Sequence, residues 1–227
     1  MNRLLRLFRT SIGSKLLVAA SGTALIGFLL VHAAGNLLVL KGPEMLNGYA
    51  DWLQGHPLLW GFRIGLTALF VVHIGVSIRL ARQNRAARPQ RYRHIARLGA
   101  RLPGRLMPYT GGLILAFLVF HLLHLTVRAV GPGVEPLHDA SGRVDVYGLL
   151  MAGFHEPWIV TVYLLAMAVL GLHLVHAIEA LFQTLGFHHD SYQPLIRVLA
   201  PALSLIIAGG LAAIPVLIVT GYIGGGG

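Results

Sequence analysis

The chain has 227 residues, is 56% apolar and only 11% charged, carries a formal charge of +10, and contains no cysteine. The missing cysteine excludes disulfides, cysteine-ligated iron–sulfur clusters and the C-x-x-C-H attachment of a c-type haem. The positive charge does not point to nucleic acid, because it is gathered beside long apolar runs.

Five apolar runs reach about 20 residues or more, the length an α-helix needs to cross a bilayer. They are Lys15–Leu40, Leu58–Leu80, Arg105–Val130, Pro157–Gln183 and Val198–Ile223. These runs predict an all-α membrane protein: one domain over residues 1–227, built as a bundle of five transmembrane helices. Before the first run, residues 1–14 form a separate segment. Its stretch Leu4–Ile12 alternates Arg with Leu and Phe and is expected to lie flat at the interface. The first run is too long for a signal-peptide core and reads as an uncleaved span.

Turn chemistry separates the spans. Gly42-Pro43 ends the first and His56-Pro57 opens the second. Pro89, Pro103 and Pro108 interrupt the second connection, Gly131-Pro132-Gly133 ends the third span, and Glu156-Pro157 starts the fourth. Pro201 and Pro215 are expected to bend the fifth span. Gly224–Gly227 reads as a flexible tail. Arg3, Arg6, Arg9 and Lys15 precede the first span, and Arg79, Arg82, Arg85, Arg88, Arg91, Arg93, Arg97, Arg101 and Arg105 crowd the second connection. Glu44, Asp51, Glu135, Asp139, Asp145 and Glu156 fall in the first and third connections. The positive-inside rule therefore expects a cytoplasmic N-terminus and an outside C-terminus. The arginines are expected either to serve this topology and contact lipid or to dock an acidic cytoplasmic partner.

Four histidines lie inside four different spans: His32, His73, His121 and His173. An ionisable group within a membrane span is costly and marks a functional site by default. Depth follows from the helical rise of 1.5 Å per residue. His32 lies about 25 Å past Lys15 and His121 about 24 Å past Arg105, so these two share an outer level. His73 and His173 each precede a charged residue, Arg79 and Glu179, by about 9 Å, so these two share an inner level. The levels are about 15 Å apart. Two imidazoles per level on opposite helices leave a zinc ion short of ligands, because zinc takes about four. A porphyrin supplies four equatorial nitrogens and needs only two axial ones. The pattern therefore reads as two haems b, one held by His32 and His121, the other by His73 and His173. Gly27, Gly35, Gly75 and Gly171 offer either room for a macrocycle or close helix packing. His124 follows His121 by three residues, and His176 follows His173 by three, so each pair shares a helix face. Spacing alone does not say which member of each pair is the ligand.

The chain resembles the cytochrome b membrane anchor of succinate dehydrogenase and fumarate reductase, in the form where one polypeptide carries five helices and two haems. The resemblance covers nearly the whole chain. It rests on Ser11-Ile12-Gly13-Ser14-Lys15, His32-Ala33-Ala34-Gly35-Asn36, His73-Ile74-Gly75, Asn84-Arg85-Ala86-Ala87-Arg88-Pro89, Phe120-His121-Leu122-Leu123-His124, His173-Leu174-Val175-His176 and Phe182-Gln183-Thr184-Leu185-Gly186 in this order. It implies His32 and His121 as ligands of the distal haem, His73 and His173 as ligands of the proximal haem, and His121 and His173 rather than His124 and His176. It also implies an iron–sulfur subunit and a flavoprotein subunit with FAD on the cytoplasmic face of a bacterial inner membrane. Electrons would then move between succinate and a quinone, with menaquinone favoured and no dicarboxylate site in this chain.

A quinone oxygen needs a proton donor or acceptor within hydrogen-bond reach. By depth, Glu44, Asp51, His56 and His124 are the candidates, with a solvated outer loop as the alternative role for the two acids. Two other readings use the same histidines. One is the cytochrome b subunit of a different quinone-linked respiratory complex. The other is a transporter lined by histidines, against which the chain shows no inverted repeat.

Overall fold

The computed structural model describes residues 10–87, 102–132, 138–187 and 189–224, with 102–105 described through their backbone only. Residues 1–9, most of the arginine-rich connection, Glu135, His94 and His188 lie outside the described residues.

The described residues fold mostly into helices. Helix α1 is Ser11–Asn36 and continues as a 3-10 turn, Leu37–Lys41. Then come α2 (Pro43–Gly55), α3 (Leu59–Ala86) and α4 (Leu102–His121), the last continued by a π turn, Leu122–Thr126. Helices α5 (Val146–Phe154), α6 (Pro157–Thr184) and α7 (Gln193–Ser204) follow, then a π turn, Leu205–Gly209, and α8 (Gly210–Val219). The described residues contain no β-strand, only an isolated bridge between His138 and Val144. Among the described residues, five helices are long and apolar enough to cross a membrane: Ser11–Lys41, Leu59–Ala86, Leu106–Thr126, Pro157–Thr184 and Gln193–Val219. This is compatible with a multi-pass membrane protein.

Local chemistry sets the ends. The Thr10 hydroxyl accepts from Gly13 N at 3.0 Å, so α1 starts at Ser11, four residues before the expected Lys15. Pro43 and Pro157 occupy first-turn positions, where a missing N–H costs nothing. The third span stops at Thr126 rather than Val130. Arg128 adopts a left-handed backbone (φ 59°) and Gly131 another (φ 88°), which a right-handed helix cannot continue. The fifth span begins five residues earlier than expected, with Pro194 in its first turn. The fifth span also widens into a π turn, Leu205–Gly209, between α7 and α8.

Helix α6 is the axis of the packing. Ile159, Val160, Tyr163, Met167, Leu170, Leu174 and Ile178 are buried at helical spacing along it. Helices α1, α3, α4 and α6 form a ring in which α1 meets α3, α3 meets α4, α4 meets α6 and α6 meets α1. Across both diagonals, α1 to α4 and α3 to α6, the helices scarcely touch. Helices α7 and α8 pack on α6 outside this ring. In hydrocarbon, helices hold together by close packing and interhelical hydrogen bonds rather than by the hydrophobic effect. Here Ser204 Oγ donates to the Gly171 carbonyl at 2.7 Å, and a Cβ on Gly171 would stand 3.6 Å from Ala208 Cβ. Helix α3 buries no residue at all, and Phe62 and Ile64 are each 68% exposed, as a lipid-facing helix requires.

Two short helices that the sequence pattern did not predict, α2 and α5, close one end of the bundle. Asn47 on α2 is 1% exposed. Its amide donates to Asp145 Oδ1 at 2.9 Å and accepts from Tyr147 N at 2.9 Å, which ties α2 to the start of α5. Asp145 caps α5 by accepting from Gly148 N at 2.8 Å. Arg143 adds a bidentate pair to Glu44 (2.9 and 2.7 Å) and a bond from Nε to Asp139 at 2.8 Å. The Arg143 guanidinium holds the Glu44 carboxyl below the ordinary glutamate range. Because that value is lowered on folding, the pair is intact above the ordinary range and is lost only as pH falls through the lowered one. Replacing Asn47 with Ala leaves the Tyr147 N–H and the Asp145 carboxylate short of a buried partner. The expected cost is about 1–3 kcal/mol, read as a lower unfolding temperature in detergent; an unchanged midpoint would show that the α2–α5 tie is not holding this end.

Candidate functional site

The four intramembrane histidines sit on the four helices of the ring, and each expected pair occupies a diagonal. His32 (α1) and His121 (α4) stand with ring centroids 5.9 Å apart and planes at 81°. An imidazole nitrogen binds a metal ion at about 2 Å, so two rings holding one ion from opposite sides stand about 6 Å apart. The other diagonal carries His73 on α3 and His173 on α6. All four rings are only half-buried.

Three of the four rings, those of His73, His173 and His121, contact a hydroxyl of a neighbouring helix. Ser21 Oγ on α1 lies 3.0 Å from His73 Nδ1, and also 2.7 Å from the Leu17 carbonyl and 3.2 Å from the Val18 carbonyl. A carbonyl can only accept, so the short 2.7 Å contact favours the hydroxyl proton going to the backbone and the oxygen accepting from His73 Nδ1–H. Thr110 on α4 repeats the arrangement: its Oγ1 donates to the Met107 carbonyl at 3.1 Å and accepts from His173 Nδ1 at 3.0 Å. Ser21 and Thr110 are buried, at 5% and 8% exposure. With Nδ1 protonated, neutral His73 and His173 each carry a bare lone pair on Nε2. No protein hydrogen bond reaches those Nε2 atoms among the described residues. Gly22 and Gly111, next in sequence to the two hydroxyl residues, lie against the rings, where a Cβ would stand 3.4 Å from His73 Cε1 and 3.7 Å from His173 Cε1.

The same contacts measure the levels. Ser21 precedes His32 by eleven residues, and Thr110 precedes His121 by eleven. Eleven residues make about three helical turns and about 16 Å of rise. Each hydroxyl therefore lies on the same helix face as the histidine above it, one level down. This agrees with the separation of about 15 Å expected from the sequence.

At the other level the hydroxyl belongs to Tyr163 on α6. Its Oη lies 3.2 Å from His121 Nδ1 and 2.9 Å from His124 Nδ1. His32 is held within its own helix, with Asn36 Nδ2 at 3.4 Å from its ring nitrogens and Phe28 stacked on it at 5.3 Å.

The alternatives within each three-residue pair separate here. His124 is 1% exposed, and its Nε2 has no partner. A Cβ on Gly153 would stand 2.7 Å from that nitrogen, and one on Gly131 3.3 Å from it. No macrocycle fits there, so His121 is the member of its pair with an accessible ring. His176 is half-buried beside Glu179, with no orienting hydroxyl like that of His173. Of the four glycines expected to make room, Gly27 and Gly75 face open space, where an added Cβ would meet nothing within 4 Å. Gly35 packs on Tyr49 and Gly171 on Ala208.

The expected quinone residues are not gathered in one place. Glu44 is bound to Arg143 in an outer cleft of about 230 Å³, which Asn47, Asp139 and Ser141 also line. Asp51, His56 and His124 do not line that cleft. Asp51 is exposed, and His56 lies against Trp52 with Nδ1 accepting from Leu58 N at 3.2 Å. A second cavity, an apolar groove of about 510 Å³, runs between α6 and α7 and touches none of the four histidines.

Hydropathy and histidine spacing do not single out Ser21, Thr110 or Tyr163. A subtler signal was present: a hydroxyl residue eleven positions before each of His32 and His121, and one ten positions before His173.

No family model, curated protein or solved structure matches this chain.

Substituting Gly153 with Ala forces a methyl group onto the His124 ring and should cost about 1–3 kcal/mol of stability in a thermal melt. Gly61, with nothing within 4 Å, serves as the control and should tolerate Ala. Equal melting of the two variants would show that His124 is not confined as described.

Proposed function

We propose that this chain is the di-haem membrane anchor of a succinate- or fumarate-type quinone oxidoreductase. In this reading His32 and His121 are the axial ligands of one haem b, and His73 and His173 those of the other. The observation that carries it is the hydroxyl lock: two intramembrane imidazoles on opposite helices, each with Nδ1 committed to a hydroxyl of the next helix and Nε2 left as a bare lone pair. A metal-ligating histidine nearly always donates its other N–H in this way, which fixes the tautomer and the ring direction.

The donor set fits a haem better than a naked ion. Among the described residues no group of three or more His, Cys, Asp or Glu side chains converges. Paired imidazoles 5.9 Å apart suit a metal whose remaining ligands come from a macrocycle. When bound, a haem of this kind supplies one-electron chemistry, at a potential set by its ligands, its burial and its hydrogen bonds. The protein's part is to hold the imidazoles in line, to fix their tautomers, and to keep the two centres about 16 Å apart. The family-level part of the proposal rests on the ordered motifs of the sequence. It includes the iron–sulfur and flavoprotein partners against the arginine-rich side, taken as cytoplasmic, in a bacterial inner membrane, and menaquinone as the quinone.

Purified protein should give about two haems b per chain in a pyridine haemochrome assay, and colourless protein would refute the reading. His73→Ala should remove one haem and leave the other. Ser21→Ala and Thr110→Ala should weaken retention of that same haem by about 10–100-fold, the usual effect of deleting a ligand's hydrogen-bond partner. Co-purification with a flavoprotein and an iron–sulfur protein tests the assignment to the succinate type.

A further inference from the structure

We propose that Tyr163 and His124 together form a positioning device for the His121 ligand, one that makes the two metal-binding levels chemically unlike each other. The inference rests on the haem reading and adds to it a role for two residues outside the ligand set.

At the His73–His173 level, each orienting hydroxyl has a carbonyl of its own helix to donate to, which favours one direction of the hydrogen bond. Tyr163 has no such carbonyl. Its hydroxyl stands between two imidazole nitrogens, His121 Nδ1 and His124 Nδ1, and has one proton to give. The chain of hydrogen bonds can therefore run in either of two directions. If it runs from His124 through Tyr163 to His121, then His121 carries its proton on Nε2 and cannot bind a metal. If it runs from His121 through Tyr163 to His124, then His121 Nε2 is a free lone pair. Hydrogen bonds donated by O–H are shorter than those donated by N–H. The 2.9 Å contact to His124 and the 3.2 Å contact to His121 match the second direction.

This direction explains an otherwise expensive residue. His124 is fully buried with an orphaned Nε2, a cost of about 1–3 kcal/mol for an unsatisfied polar group. A leucine would fill the same space without that cost. What histidine adds is an acceptor at Nδ1, held in place because Gly131 and Gly153 close around its other edge. The π turn Leu122–Thr126 lies directly after His121 and carries His124, and both rings reach one phenol. Phe117, Phe120 and Phe154 pack edge-on against Tyr163 and keep the phenol from turning away.

The test is redox titration of the haem-loaded full chain, with the two centres resolved by the His73→Ala background. Tyr163→Phe removes the acceptor from His121 Nδ1–H and makes the imidazole a weaker donor. The midpoint of the His32–His121 centre should rise by a tenfold change in its equilibrium or more, about 59 mV for one electron. The other centre should not move. His124→Leu should shift the same centre in the same direction. His124→Asn keeps an acceptor oxygen near the Nδ1 position and should restore the wild-type value, an outcome that mere loss of packing would not give. Unchanged midpoints in loaded Tyr163→Phe and His124→Leu, or a His124→Asn value as shifted as that of His124→Leu, would overturn the inference while leaving the haem reading intact. Wild-type protein that binds no haem would overturn both.

Discussion

An imidazole inside an apolar bundle must find a place for one N–H and one lone pair, and the hydrogen bond that takes the N–H decides what the lone pair can do. In this protein Nδ1 of His73 meets the Ser21 hydroxyl and that of His173 the Thr110 hydroxyl, each hydroxyl also reaching a carbonyl of its own helix. That contact joins α1 to α3 and α4 to α6, so the bond that orients the ring also fastens the ring of helices. Without it the histidines would be free to rotate and to carry their proton on either nitrogen. With it, Nε2 is the only nitrogen left to meet a ligand.

The remaining architecture follows from where those contacts fall. A step of eleven residues brings a helix back to the same face about 16 Å along. Ser21 and His32 therefore share one face of α1, and Thr110 and His121 share one face of α4. The two helices that run the other way present His73 and His173 at the lower step, and Tyr163 presents its hydroxyl at the upper one. Two levels thus arise from one spacing used twice. Helices α7 and α8 stand outside this arrangement and cover the back of α6, and α2 and α5 close one end through Asn47 and Arg143.

The five spans were legible from the sequence because length and hydropathy mark them, and the fixed rise of a helix sets His32 and His121 at one depth, where their rings stand 5.9 Å apart. The short helices α2 and α5 were not. Their turn residues and charges resemble a loop, and α2 packs through just two buried residues, Leu46 in the core and Asn47 against Asp145 and Tyr147. The end of the third span was missed because hydropathy runs on past Thr126, whereas the left-handed Arg128 stops the helix. The choice between His121 and His124 was closed to spacing arguments, since residues three apart share a face. What spacing could not show is that Gly131 and Gly153 close around the His124 ring while His121 stays half-exposed. Ser21, Thr110 and Tyr163 could be recognised only once the partner helix was known, because a hydroxyl in a membrane span usually bonds its own backbone.

At the centre of this account, His73 and His173 are held as Nδ1–H tautomers with free Nε2 lone pairs before any metal arrives. Nitrogen-15 spectra of histidine-labelled, cofactor-free protein in lipid report this directly, with single-histidine substitutions assigning the signals. The account predicts a protonated Nδ1 and an unprotonated Nε2 at both residues. A protonated Nε2 at either one would contradict it.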